Sequence, residues 1–190
     1  REEVLQSQEQ DGNKVMQAII SGEYNKPVLF CKQMTHHLVN IDLEFLSDTI
    51  NILLIRNPKD VLISYAKIIE QPSFSDIGIQ QSFELYEFLQ SKNYHCLIVD
   101  AAELLKDPER QLAALCNSAG IVFQTAMLSW KAGALREDGI WGKYWYNNVH
   151  RSTGFTPFEK EDRELPIPLE NIYARAKPYY DFLFQKSLIA

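Results

Sequence analysis

Asn51-Ile52-Leu53-Leu54-Ile55-Arg56-Asn57-Pro58-Lys59-Asp60-Val61-Leu62-Ile63-Ser64 decides the fold of this chain. Asn51 to Arg56 is a short apolar run rich in β-branched residues, and its length reads as a buried strand. Asn57 then suits an N-cap, Pro58 the first helical position with φ already set, and Asp60 the acidic third residue whose carboxylate favours the exposed amides. The pattern predicts a strand that turns directly into a helix over Pro58 to Glu70. Open α/β sheets bind ligands at the carboxyl ends of their parallel strands, where Arg56 emerges, and a planar guanidinium can hold a phosphate through two hydrogen bonds. Ser64 lies two turns along the helix, on the stripe of Asn57 and Asp60 at about 3.6 residues per turn. Two readings stand on this spacing: Arg56 and Ser64 close on one anion, or Arg56 pairs with a carboxylate such as Asp60 and Ser64 is ordinary helix surface.

Working outward, Pro27-Val28-Leu29-Phe30-Cys31-Lys32 and Tyr94-His95-Cys96-Leu97-Ile98-Val99-Asp100 are further apolar runs of strand length, both expected to be buried. Helices are expected between and around them: one or two surface helices from Glu2 to Ser21 ending at Gly22, a short one near Leu43 to Leu46, then Gly78 to Lys92. Another runs from Ala101 to Ala119, stopped by Gly120. Strands alternating with helices imply parallel pairing through crossover helices, so the expected class is α/β, a three-layer α/β/α domain with a central parallel sheet. Residues 125–158 form a Gly- and aromatic-rich stretch with little periodicity; a stretch of that length without regular elements is functional or disordered, and its aromatics argue against disorder. A last helix is expected over Pro168 to Lys186.

The totals agree with a single domain. A chain of 190 residues with 46% hydrophobic content can bury one core. Its net charge of -6 argues against general nucleic-acid affinity, which needs a basic face. No apolar run of about 18 residues and no leader-like opening is visible, so the expectation is a cytoplasmic protein without membrane contact. The three cysteines, Cys31, Cys96 and Cys116, are scattered through apolar stretches and read as reduced core thiols. No ligands cluster with His36 and His37 at zinc spacings, so no metal is expected.

The string from Ile55 to Ser64 resembles the Arg-x-Pro-x-x-x-x-x-Ser motif of sulfotransferases, which in that family binds the 3′-phosphate of 3′-phosphoadenosine 5′-phosphosulfate. Phe30-Cys31-Lys32-Gln33-Met34-Thr35-His36-His37-Leu38 is similar to the family's strand ending in Lys and His, the His being the catalytic base. Ile98 to Glu109 resembles its Tyr-Glu-Asp-Leu-x-x-Asp-Pro stretch. Gly139 to Tyr146 with Ser152-Thr153-Gly154-Phe155 looks most like a bacterial subgroup, and like the sulfotransferase-like portion of plant proteins fused to aminotransferase-like domains.

The resemblance implies a P-loop NTPase-like fold over residues 1–190 and a role for Arg56 and Ser64 at the 3′-phosphate. It implies His36 or His37 as the base, with Lys32 neutralising charge on the transferred group. Lys-x-Met-x-His spacing favours His36, and the following Leu38 favours His37. Trp141 and Tyr144 are candidates to cover the adenine or line the acceptor pocket, and Lys143 and Arg151 to add charge at the phosphate. The implied reaction moves a sulfuryl group to the hydroxyl of a small metabolite, releases the adenosine bisphosphate and uses no metal. The family's first strand and phosphosulfate loop have no counterpart in these residues. Arg1-Glu2-Glu3-Val4 reads as mid-helix, which places that segment upstream in expectation. A catalytically silent nucleotide-binding or assembly module and a small-metabolite kinase are the alternatives on the same architecture.

Overall fold

Two five-residue strands, β1 (Asn51–Ile55) and β2 (Cys96–Asp100), pair in parallel with Ile52 opposite Leu97 and Leu54 opposite Val99. They are the only strands in a computed structural model that describes residues 2–7, 9–67, 69, 71–142, 146–156 and 164–189, with the backbone alone for residues 2, 4, 5, 136, 137 and 141. Around the strands run α1 (Glu2–Ser7), α2 (Gly12–Ser21), α3 (Pro58–Tyr65), α4 (Ile79–Ser91), α5 (Ala101–Lys106), α6 (Pro108–Ser118), α7 (Asn147–Arg151) and α8 (Glu170–Phe184), with short 3₁₀ turns between them. The molecule is thus largely helical with a small parallel sheet, compatible with the α/β class expected from the sequence.

Side chains alternate across a strand, so the register sorts the sheet into two faces. On one face Leu53, Ile55 and Ile98 join Ile79 of α4 and Ala176 and Leu183 of α8 in a single core, ringed by Phe74, Phe83, Tyr86, Tyr179 and Tyr180. Edge and tilted ring contacts, such as Phe83 with Tyr179 at 5.3 Å and with Phe182 at 5.2 Å, tie α4 to α8. The other face is covered unevenly: Leu97 and Val99 of β2 are 9% and 4% exposed, whereas Ile52 and Leu54 of β1 are 37% and 64% exposed.

At the end of β2, Asp100 is fully buried, and its carboxylate caps α5 by accepting from the amides of Ala102 and Glu103 at 2.9 and 3.1 Å. Its second oxygen accepts from the hydroxyl of Tyr180 on α8 at 3.0 Å, locking the sheet end to the last helix. Beyond α8 the amide of Leu188 donates to the carbonyl of Ile98 at 2.8 Å, closing the outer edge of β2.

Four expectations are corrected. Residues 27–32 form no strand: they run as coil, and Val28, Leu29 and Phe30 are exposed. An apolar run becomes a strand only where a ladder partner is available, and no described strand lies along this one. The helix expected to reach Glu70 ends at Tyr65, where the amide of Lys67 turns back to the carbonyl of Ser64. The helix expected over Ala101 to Ala119 is two helices, because Asp107 leaves helical geometry (φ -148, ψ 80) ahead of Pro108 and caps the second through the amide of Arg110. Cys31 is exposed rather than a core thiol, having followed the coil out of the interior, while Cys96 is half-buried and Cys116 buried.

Candidate functional site

The turn out of β1 is built as its residue types dictate. Arg56 leaves the carboxyl end of the strand with its side chain exposed. Asn57 adopts φ -51 and ψ 123, and its side-chain oxygen accepts from the amide of Lys59 at 2.9 Å. Its carbonyl accepts from the amides of Asp60 and Val61 at 3.0 and 3.1 Å. Pro58, buried, opens α3, where its lack of an N–H leaves no donor to satisfy. Ser64 is exposed on the same helix, about 9 Å along its axis from Pro58. Among the described residues Arg56 and Asp60 form no ion pair, so the guanidinium is not held by the carboxylate that the alternative reading assigned to it. Beside the turn, a cavity of about 590 Å³ is lined by Lys59 of α3, by Glu164, Leu165 and Ile167, and by Glu170 and Tyr173 of α8.

The histidine pair sits on a 3₁₀ turn, Thr35–His37, that rests on the entrance to α4. The hydroxyl of Thr35 donates to the carbonyl of Gly78 at 3.4 Å. Gly78 is in the left-handed region (φ +67), which is what favours glycine there; a Cβ would meet Thr35 Oγ1 and His36 Nδ1 only at ordinary contact distances of 3.5 and 3.7 Å. His36 is half-buried beside Asp76, whose carboxyl is held below its usual range by hydrogen bonds from Ser73 and, more weakly, by the charge of His36. His37 packs edge-on against His36, ring centroids 4.4 Å apart. Partial desolvation lowers the pKa of His37, and the neighbouring charges of His36 and Lys32 lower it further. Lys32 itself lies in the exposed coil. No hydrogen bond or ion pair among the described residues joins Lys32, His36 or His37 to Arg56 or Ser64.

The aromatic stretch is tied at its neck. Ser129 and Gly154 form an antiparallel bridge, the amide of Trp130 donates to the carbonyl of Thr153 at 3.0 Å, and Trp130 Nε1 donates to Ser152 Oγ at 2.9 Å. Deeper in, Asp138 Oδ2 accepts from the amide of Leu135 at 2.7 Å and pairs with His150 Nε2 at 2.8 Å. These bonds, Leu135 first and His150 second, hold the Asp138 carboxyl below its ordinary range. Arg151, exposed, ends α7. Lys143 and Tyr144 lie outside the described residues, as does the side chain of Trp141, whose backbone closes the 3₁₀ turn Arg136–Trp141. The Asp138–His150 pair was not foreseen in the sequence. Its two members are twelve residues apart in a stretch without periodicity, and only their chemical types could have suggested it.

The family model described as a sulfotransferase domain matches residues 1–187. Two curated plant proteins from Arabidopsis thaliana are similar over nearly the whole chain. Branched-chain-amino-acid aminotransferase-like protein 1 is 37% identical over 184 residues, covering 96% of this chain and 33% of the relative. Branched-chain-amino-acid aminotransferase-like protein 2 is 36% identical over the same length and the same shares. The chain therefore spans about a third of the length of these relatives. No solved structure matches.

Proposed function

The chain belongs to the sulfotransferase domain family, and from that premise we propose that it binds 3′-phosphoadenosine 5′-phosphosulfate and passes the sulfuryl group to a hydroxyl of a small metabolite. The observation that carries this reading is the turn at Arg56: an exposed guanidinium, unpaired with Asp60, at the carboxyl end of a parallel strand, with Ser64 on the following helix. Arg56 holds the 3′-phosphate through two charge-assisted hydrogen bonds and the Ser64 hydroxyl donates a third. Arg151 and Lys143 add positive charge at that phosphate, and Trp141 and Tyr144 cover the adenine or line the acceptor pocket. The complete site belongs to a three-layer sheet architecture of which β1 and β2 are two strands.

Sulfuryl transfer asks little covalent work of a protein and much positioning and charge stabilisation. His36 or His37 takes the acceptor's proton as its oxygen forms a bond to sulfur and the bond from sulfur to the phosphate oxygen breaks. The lowered pKa of His37 keeps its imidazole neutral at neutral pH, the state a base requires. Lys32 stabilises the charge that grows on the departing oxygen. The protein needs no metal for these steps, because the leaving bisphosphate is held by cationic and hydroxyl side chains.

Calorimetry with adenosine 3′,5′-bisphosphate tests the phosphate assignment. Arg56→Ala should weaken binding by about tenfold to a hundredfold, the worth of a charge-assisted pair; equal binding by both proteins would falsify it. A second reading, a nucleotide-binding module without turnover, is favoured by the lack of a phosphosulfate-loop counterpart among these residues. Sulfuryl transfer that is measurable in the wild type and lost in the His36→Ala and His37→Ala double variant decides for the enzyme.

A further inference from the structure

We infer that the Asp138–His150 pair reads the purine of the bound nucleotide: Asp138 positions the imidazole, and His150 Nδ1 accepts a hydrogen bond from a 6-amino group. The hydrogen-bond network assigns the ring. Asp138 Oδ2 lies 2.7 Å from the amide nitrogen of Leu135, a fixed donor, so this oxygen is an acceptor. His150 Nε2, 2.8 Å from the same oxygen, is therefore the nitrogen that carries hydrogen, and Nδ1 keeps the lone pair of the neutral ring. The Asp138 carboxyl, held below its ordinary range first by Leu135 and then by His150, keeps Oδ2 an acceptor across the neutral range.

The ring is fixed as well as polarised. The carbonyl of His150 accepts from the amide of Gly133 at 2.8 Å, and its amide donates to the carbonyl of Tyr146 at 2.7 Å. The Tyr146 ring stands nearly perpendicular to the imidazole, centroids 6.2 Å apart. Both side chains of the pair are 19% exposed, so the ring is sheltered yet reachable. Closing the loop uses Nε2 alone, and no described residue bonds Nδ1. That leaves one held acceptor, which suits a ligand group that donates and rejects one that accepts.

The identity of the donating group rests on the nucleotide reading proposed above. Arg151, given there to the 3′-phosphate, directly follows His150 in α7. Trp141, given to the adenine or the acceptor, closes the 3₁₀ turn that carries Asp138. The pair thus joins the turn assigned to the base to the helix assigned to the phosphate. Adenine offers its 6-amino group as a donor, whereas hypoxanthine has a carbonyl oxygen at that position, whose lone pairs would face the lone pair of Nδ1. The site is therefore selective for adenine over 6-oxo purines.

Calorimetry on the full chain with adenosine 3′,5′-bisphosphate and inosine 3′,5′-bisphosphate tests it. Wild type should bind the adenosine compound about tenfold more tightly, the effect of one hydrogen bond lost and an acceptor set against an acceptor. His150→Phe keeps a ring but removes Nδ1, and should bring the two affinities within about twofold of each other. Asp138→Ala frees the ring and should lose most of the preference. Asp138→Asn, whose amide oxygen can still accept from Leu135 and from Nε2, should restore it. Equal wild-type affinities, a preference that survives in His150→Phe, or an Asp138→Asn variant that behaves as Asp138→Ala overturns the inference. Nitrogen NMR of the wild type covers the case of variants that fail to fold: saturating adenosine 3′,5′-bisphosphate should shift the His150 Nδ1 resonance, and an unmoved resonance overturns the inference. If neither compound binds, the nucleotide reading has failed and this inference falls with it. Equal binding of both leaves that reading standing and sinks this one alone.

Discussion

β1 and β2 have the same length, the same direction and nearly the same apolar content, yet β2 is buried on both faces and β1 on one. The difference lies in their surroundings rather than in their own residues. Leu188 closes the outer edge of β2, and Asp100 fastens its end to α5 and α8. Among the described residues β1 has only its partner strand and the core below. The better-covered half of the sheet is β2, and the half left open carries Arg56 of the proposed anion site at its end; low local stability is common where a ligand is accepted.

The contrast is sharpest in truncation. Ile98→Ala, in the core and fully packed, should cost about 2–5 kcal/mol in urea unfolding; a loss below 1 kcal/mol would erase the asymmetry between the strands. Next comes the thiol of Cys96, which burial raises to about 11 from 9.0. The unfolded thiol ionises first, so this contribution is whole below pH 9.0 and disappears as pH climbs through about 11. Over that window stability should fall by roughly 1 to 2 kcal/mol more in the wild type than in Cys96→Ala, the half-exposed thiol being partly screened by solvent, read as the difference between their pH profiles. On the β1 side, Asn57→Ala removes the cap of α3 and should cost about 1 kcal/mol. Smallest of all, Leu54→Ala should stay within about 0.5 kcal/mol of wild type, since that side chain has no cover to lose. A larger loss would mean that the face is covered in solution.

What could be read in advance follows a physical boundary. The strand-cap-helix turn from Asn51 to Ser64 was legible because each step is local: β-branched residues, an asparagine cap and a proline at the first helical position. The same holds for Gly120, whose φ of +67 ends α6 where a helix stop was expected. Pro27 to Lys32 misled for the opposite reason. Its composition describes a strand, but whether it forms one depends on a ladder partner elsewhere in the molecule. Pro108 signalled its break plainly, and the apolar periodicity from Leu104 to Leu115 concealed it. Within the site, residue types and spacing offered Arg56 and Ser64 as one of two readings, and the family resemblance alone brought in the histidine pair, without choosing between His36 and His37. The structure differentiates them, with His36 half-buried against Gly78 and beside Asp76, and His37 more exposed with a lowered pKa.

The neck at Ser129 and Gly154 has a consequence for how this region can change. Because the bridge, the two Trp130 bonds and the Asp138–His150 pair close residues 129–154 upon themselves, the stretch behaves as a cassette. A loop closed at its neck loses little from a change in length between the closing residues, so the clasp should insulate the sheet from such changes. A surface stretch clasped at its neck is free to diversify while the scaffold beneath it stays constant.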